Sequence, residues 1–269
     1  MHGLTLTLYA LAGLGFVVQL IAGNTRFLGV LRVLYLLAAS TLLSSFVAAW
    51  VSSGLPSAAT PQQALSMLVL FSSLALVPLV FRERTAALAA FFLPAAAIVL
   101  AFSAPFSGPP GPVALAPHRM WYVLHTVSVI AGEALLLVAS VSSGAYLLHE
   151  RMIRHGDIHL KISRLPPLTV LDWITAVSLA SGFCAISAGM ITGGLWATAT
   201  HAGLAGVAPK AVSGGIIWSV CALCVHQRFA VGWKGRRTAI MVLFCLALMA
   251  VLFVGMNTFF PFAHGVRLI

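Results

Sequence analysis

Two histidines in this 269-residue chain stand close to the ends of long apolar runs: His125 in HRMWYVLH and His264 in FFPFAHGV. A neutral imidazole offers one nitrogen lone pair to a metal. Two of them on opposed faces of a planar macrocycle would hold a haem iron by its axial positions. Ordinary hydrogen bonding at a membrane interface accounts for the same residues without any ligand. Glu133 is the second unusual group. Positions 125, 129 and 133 recur every four residues and share one side of a helix, which puts the carboxyl about 12 Å deeper than the imidazole. A carboxyl at that depth normally faces a partner or a cavity. It is either a proton or substrate site, as in a transporter, or a protonated structural acid bonded to Ser128, Ser140 or a hydroxyl on another span.

The remaining reactive side chains give weaker signals. Cys221 and Cys224 form a CxxC inside an apolar run. Thiol exchange needs access, so two small apolar residues one turn apart are the alternative to redox chemistry. His149, His155 and His159 belong to the basic stretch LLHERMIRHGDIHLKISRLPPL, a solvated loop or, less simply, a metal site. GWKGRR is a basic anchor at lipid phosphate level and lacks the strand and glycines of a phosphate loop. No Ser/His/Asp constellation or zinc motif is present.

The elements that must position these groups are membrane helices. Hydrophobic residues make up 61% of the chain and charged residues 7%, against roughly 25% charged in soluble domains. Eight apolar segments, about 3–22, 29–50, 63–80, 86–104, 119–148, 172–192, 212–229 and 238–259, have the length of spans. The expected fold is an all-α polytopic bundle of about eight transmembrane helices, a single domain over residues 1–269. The first segment lacks a basic leader and reads as a retained span rather than a cleaved signal. Four cysteines, all in apolar segments, imply no disulfide framework.

Charge orients the bundle. Loops 23–28, 81–85, 149–171 and 230–237, with their helix ends, carry 12 of the 15 Lys and Arg residues; the other side holds only Arg119, Lys210 and Arg267. The basic loops belong in the cytoplasm and both termini outside it. The net charge of +10 is thereby explained without a nucleic acid. Trp50, Trp121 and Trp196 mark the outer interface, Trp173 and Trp233 the inner one. His125 and His264 then share the outer face. Ser103–Pro117 reads as a Pro/Gly connector, and LWATATHAGLAGVAPKAVSGG, Leu195–Gly215, as a soft outer loop.

From Trp121 to His264 the chain resembles the membrane haem-handling proteins of cytochrome c assembly, the CcsA/CcmC-type group with its shorter HemX-like members. WYVLH and AYLLHER resemble the start and exit of that family's histidine-led helix, and LPPLTVLDWI its short inner segment. SGFCAISAGMITGGLWA, GIIWSVCALCVHQRFAVGWKGRRTA and VGMNTFFPFAH follow in the family's order. The resemblance implies an outer loop, broadly W-G-x-x-W-x-W-D-P-K, that cradles haem between two flanking histidines, here His125 and His264. Trp196 would open the loop, with Trp121 beside it, Pro209 and Lys210 at its end and Trp218 in the next helix. His201, Ala205, Val207 and Ala208 replace the three tryptophans and the aspartate. That removes aromatic surface and leaves His201 as a donor or competing ligand and Lys210 as a partner for a propionate.

The implied function is a haem-binding or haem-presenting protein of the bacterial inner membrane in cytochrome c biogenesis. Its partners would be the bilayer, a membrane partner of the assembly system and apocytochrome c. Covalent attachment would be left to that partner, so the chain is not expected to be an enzyme by itself. The alternatives are a regulator or scaffold of haem metabolism that binds no haem, and a transporter using Glu133.

Overall fold

The computed structural model describes residues 2–23, 26–53, 60–106, 119–155, 165–199 and 204–259. Eight long helices account for nearly all of them: α1 (His2–Ala22), α2 (Leu28–Ser53), α3 (Pro61–Phe81), α4 (Ala89–Ser103), α5 (Arg119–Arg154), α6 (Leu168–Ala199), α7 (Leu204–Phe229) and α8 (Arg236–Phe259). Short 3-10 turns extend α4 at both ends, and with them all eight helices are long and apolar enough to cross a membrane.

Local sequence sets several boundaries. Thr60 caps α3, accepting from the Gln63 amide while the Gln63 side chain accepts from the Thr60 amide, and Pro61 takes the first helical position. The FRERT turn between α3 and α4 is closed by the Thr85 hydroxyl, which donates to the Leu79 carbonyl. At the far end of the chain Gly232 and Gly235 adopt positive φ, 81° and 64°, in the α7–α8 turn, a conformation glycine enters without strain.

The first four helices pack with α5 around one apolar cluster that includes Tyr9, Tyr35, Leu93 and Leu137. Ser73 of α3 is its polar knot. Its hydroxyl donates to the Val69 carbonyl, so the 2.7 Å contact with Tyr9 has the phenol as donor, and Tyr35 donates to the Ser73 carbonyl at 2.6 Å. Three helices are thereby joined where no water is available. A second cluster joins α5 and α6 to α7 and α8 through Leu136, Leu179, Cys221 and Cys245. Large apolar side chains elsewhere, such as Leu14, Val30, Ile98 and Val251, point out of the bundle, as lipid contact requires.

The four basic connections lie at one end. Asp172 at the start of α6 receives both Arg228 nitrogens, at 2.6 and 3.0 Å, and the Gly235 amide at 2.7 Å. Arg228 also donates to the Trp233 carbonyl, so the α7–α8 turn is clamped to α6. His149 was expected in a solvated loop. Instead it is buried on α5, and its Nδ1–H donates to the Pro166 carbonyl at 3.0 Å, fixing the return of the chain into α6. His155 is exposed as expected, and His159 lies outside the described residues.

Candidate functional site at the charge-poor end of α5 and α6

Helices α5 and α6 share the most extensive contact in the bundle, and glycines bring their backbones together. A β-carbon on Gly132 would stand 2.8 Å from the Gly182 carbonyl oxygen, and one on Gly182 3.0 Å from that of Gly132. Higher up, a β-carbon on Gly189 would stand 2.5 Å from Val129 Cγ2. Small residues let membrane helices approach until backbones touch. At the top of this seam His125 lies against α6, with its Nδ1 2.7 Å from the Gly189 carbonyl oxygen.

That contact settles the tautomer. A carbonyl can only accept, so Nδ1 carries the proton and Nε2 of the neutral ring holds the lone pair. Hydrogen bonding of this kind orients a metal-binding imidazole and raises its basicity. One helical turn nearer the end, Tyr122 packs against Trp196 with the rings tilted at 55° and their centroids 5.8 Å apart, giving the α5–α6 tip an aromatic cap. Trp121 is exposed; the ring partner of Trp196 is Tyr122, which the sequence reading passed over. Lys210 is exposed in the second turn of α7, within electrostatic range of His125, and makes no ion pair among the described residues. Trp218 is held deeper, its indole N–H donating to Ser187 at 2.9 Å and its ring beside Phe183.

His264 and His201 both lie outside the described residues. Phe253 of α8 packs against the cluster containing Ile130 of α5. From that level α8 climbs another six residues to Phe259, about 9 Å, beside a helix that reaches His125 five residues above Ile130. The segment 195–212, expected as a loop, is largely helical: α6 continues to Ala199 and α7 begins at Leu204. Leucine and alanine are good helix formers, and no proline interrupts the run before Pro209.

Two other expectations change. Glu133 makes no hydrogen bond among the described residues; the Ser140 hydroxyl, one proposed partner, donates to Leu136 of its own helix at 2.8 Å. Cys221 does not face Cys224. Its sulfur is 3.3 Å from Cys245 of α8, while Cys224 points to the Met241 carbonyl. Cys221, Cys224 and Cys245 are buried free thiols of a helix interface. Among the described residues no cluster of three metal-ligating side chains occurs.

Residues 5–264 match the family described as cytochrome c assembly protein. The chain belongs to that family. The match covers the N-terminal helices as well as 121–264, and it includes both His125 and His264. Among curated relatives, the cytochrome c biogenesis protein CcsA of Parasynechococcus marenigrum (strain WH8102) is 28% identical over 167 residues, 54% of this chain and 55% of the relative. Proteins of the same name from Synechococcus sp. (strain CC9902) and Prochlorococcus marinus (strain MIT 9313) are 27% and 26% identical, over 54% of this chain and 55% and 54% of theirs. The chain spans about half the length of the curated relatives it matches. No solved structure matches it. As a cytochrome c assembly family member with eight apolar helices, it is a multi-pass protein of the bacterial inner membrane.

Proposed function

We propose that this cytochrome c assembly family protein holds haem at the charge-poor, outer face of the membrane and presents it for cytochrome c biogenesis. The observation that carries the reading is the His125 Nδ1–H bond to Gly189, which leaves Nε2 as a ligand atom. The residues present suit the group: a neutral imidazole for iron, the Tyr122–Trp196 pair for a porphyrin edge, and Lys210 for a propionate. His264, the other histidine of the family's pair, would supply the second nitrogen ligand to the iron; it lies outside the described residues. Bound haem would supply the iron chemistry, and the protein orients it. A membrane partner and apocytochrome c complete the transfer, and the chain does no covalent chemistry itself.

The test is the absorption spectrum of the purified protein, with and without added haem, for the native chain and for His125→Ala, His264→Ala and His201→Ala. The native protein gives a strong Soret band that the first two substitutions abolish or shift. A band that depends on His201 alone would mean the ligands are wrongly chosen. The helical extension of α6 and α7 into 195–212 leaves little chain for an overlying loop. It supports a second reading, a scaffold of haem metabolism that binds none, and a native protein with no Soret band after haem addition would establish it. A transporter using Glu133 draws support only from that carboxyl having no hydrogen-bond partner among the described residues.

A further inference from the structure

A large cavity lies at the opposite, basic end. It has a volume of about 640 Å³ and opens between the ends of α1 and α2 and the α3–α4 turn. Phe16 and Leu20 line its apolar wall, and Gln19, Arg32, Glu83 and Arg84 are its polar groups. Arg32 is pre-oriented. Its Nε and Nη2 donate to the Val80 and Phe81 carbonyls at 3.0 Å, and its guanidinium lies over the Phe81 ring. Two of five N–H donors are used, and no carboxylate neutralises the charge among the described residues. Arg84 is exposed at the rim beside Glu83. Gln19 contributes the odd feature: its Oε1 is buried without a hydrogen-bond partner among the described residues. Because Gln19 lines the cavity, a donor bound there and reaching this acceptor would supply the missing bond.

We propose that this cavity binds one phospholipid headgroup of the phosphoethanolamine type from the adjoining leaflet. The phosphate meets Arg84 and the free N–H groups of Arg32, as charge-assisted bonds favour. The ammonium meets Gln19 Oε1 and the Glu83 carboxylate, and the glycerol end lies along Phe16 and Leu20. Cations and acceptors together select a headgroup carrying both an anion and a donor, which a bare anion does not satisfy. The site lies at the other end of the bundle from His125 and does not depend on haem.

The experiment uses the full chain, delipidated in detergent, with lipid binding read by native mass spectrometry and thermal stabilisation. Three probes are compared: phosphatidylethanolamine, phosphatidylcholine, whose quaternary nitrogen has no N–H, and soluble glycerophosphoethanolamine. Phosphatidylethanolamine binds one per chain, and Arg84→Gln weakens it about fivefold, the worth of one basic residue near an anionic surface. Gln19→Leu leaves the fold intact and removes the preference over phosphatidylcholine. Equal binding of phosphatidylcholine to the native chain, or no effect of Arg84→Gln, overturns the proposal. Equally tight glycerophosphoethanolamine would overturn a lipid source in favour of a soluble phosphate ester.

Discussion

His125 rests directly on Gly193: a β-carbon at 193 would stand 2.5 Å from the imidazole Nδ1 and 2.7 Å from its Cε1. The ring, pinned to the Gly189 carbonyl, has no room to retreat without breaking that bond. Gly193→Ala is therefore expected to turn the imidazole and, on the haem-holding reading, to weaken haem binding by about tenfold or more, the usual penalty for disturbing a ligand's supporting bond. Gly194→Ala is the control, because a β-carbon there meets nothing within 4 Å. Haem titrations of the two variants, followed at the Soret band, make the comparison.

The aromatic cap yields a second expectation. Trp196→Ala removes one ring of the Tyr122 pair, while Trp121→Ala removes an exposed side chain. Haem affinity should fall for the first, by about fivefold for an aromatic contact of roughly 1 kcal/mol, and hold for the second. Equal losses would place the porphyrin on the Trp121 side.

Asp172 predicts stability, independent of any ligand. It binds Arg228 at two points and the Gly235 amide, with only 9% of the Arg228 side chain and 18% of its own exposed. Asp172→Ala strands a mostly buried guanidinium and should cost about 3 kcal/mol, seen as a lowered melting temperature in detergent. Glu150→Ala breaks pairs to Arg154 and Arg236, whose side chains are 62% and 56% exposed, and should change little.

Glu133 separates the transport reading from the others. It is half-buried and makes no hydrogen bond among the described residues, so Glu133→Leu should retain thermal stability or raise it by up to about 1 kcal/mol. The haem-holding reading expects the Soret band and the yield of cytochrome c in cells to be unchanged. A normal band with a collapsed yield would give the carboxyl a task of its own.

Orientation is tested by labelling. A cysteine at exposed His155 should react with a membrane-impermeant thiol reagent only from the cytoplasmic side, and one at exposed Met120 only from the other. The native thiols lie within spans and should stay silent.

The sequence displayed its spans because apolar runs bounded by arginine leave few other readings. The helix ends were harder. α6 begins at Leu168 and runs to Ala199, seven residues past the expected limit of 192, and α7 begins at Leu204 rather than 212. Hydropathy marks the hydrocarbon boundary, whereas a helix continues into the interface as long as alanine and leucine permit. His125 was legible as a candidate because imidazoles are uncommon beside apolar runs, but its anchor was not. Gly189 and Gly193 in SAGMITGGLWA look like ordinary small residues until α5 is laid against them. Buried His149 and the Cys221–Cys245 contact likewise depend on which helices become neighbours, and charge or spacing along one segment does not carry that.

Helix α5 has 36 residues, about 54 Å of rod, against a hydrocarbon slab of about 30 Å. Its height is therefore not dictated by hydrophobic matching, and a thinner or thicker bilayer would be met by tilt or by lipid deformation. The glycine seam locks α5 to α6 in register through such changes, so the imidazole keeps its aim while its elevation above the lipid varies. Activity built on that ring should tolerate large shifts in acyl-chain length.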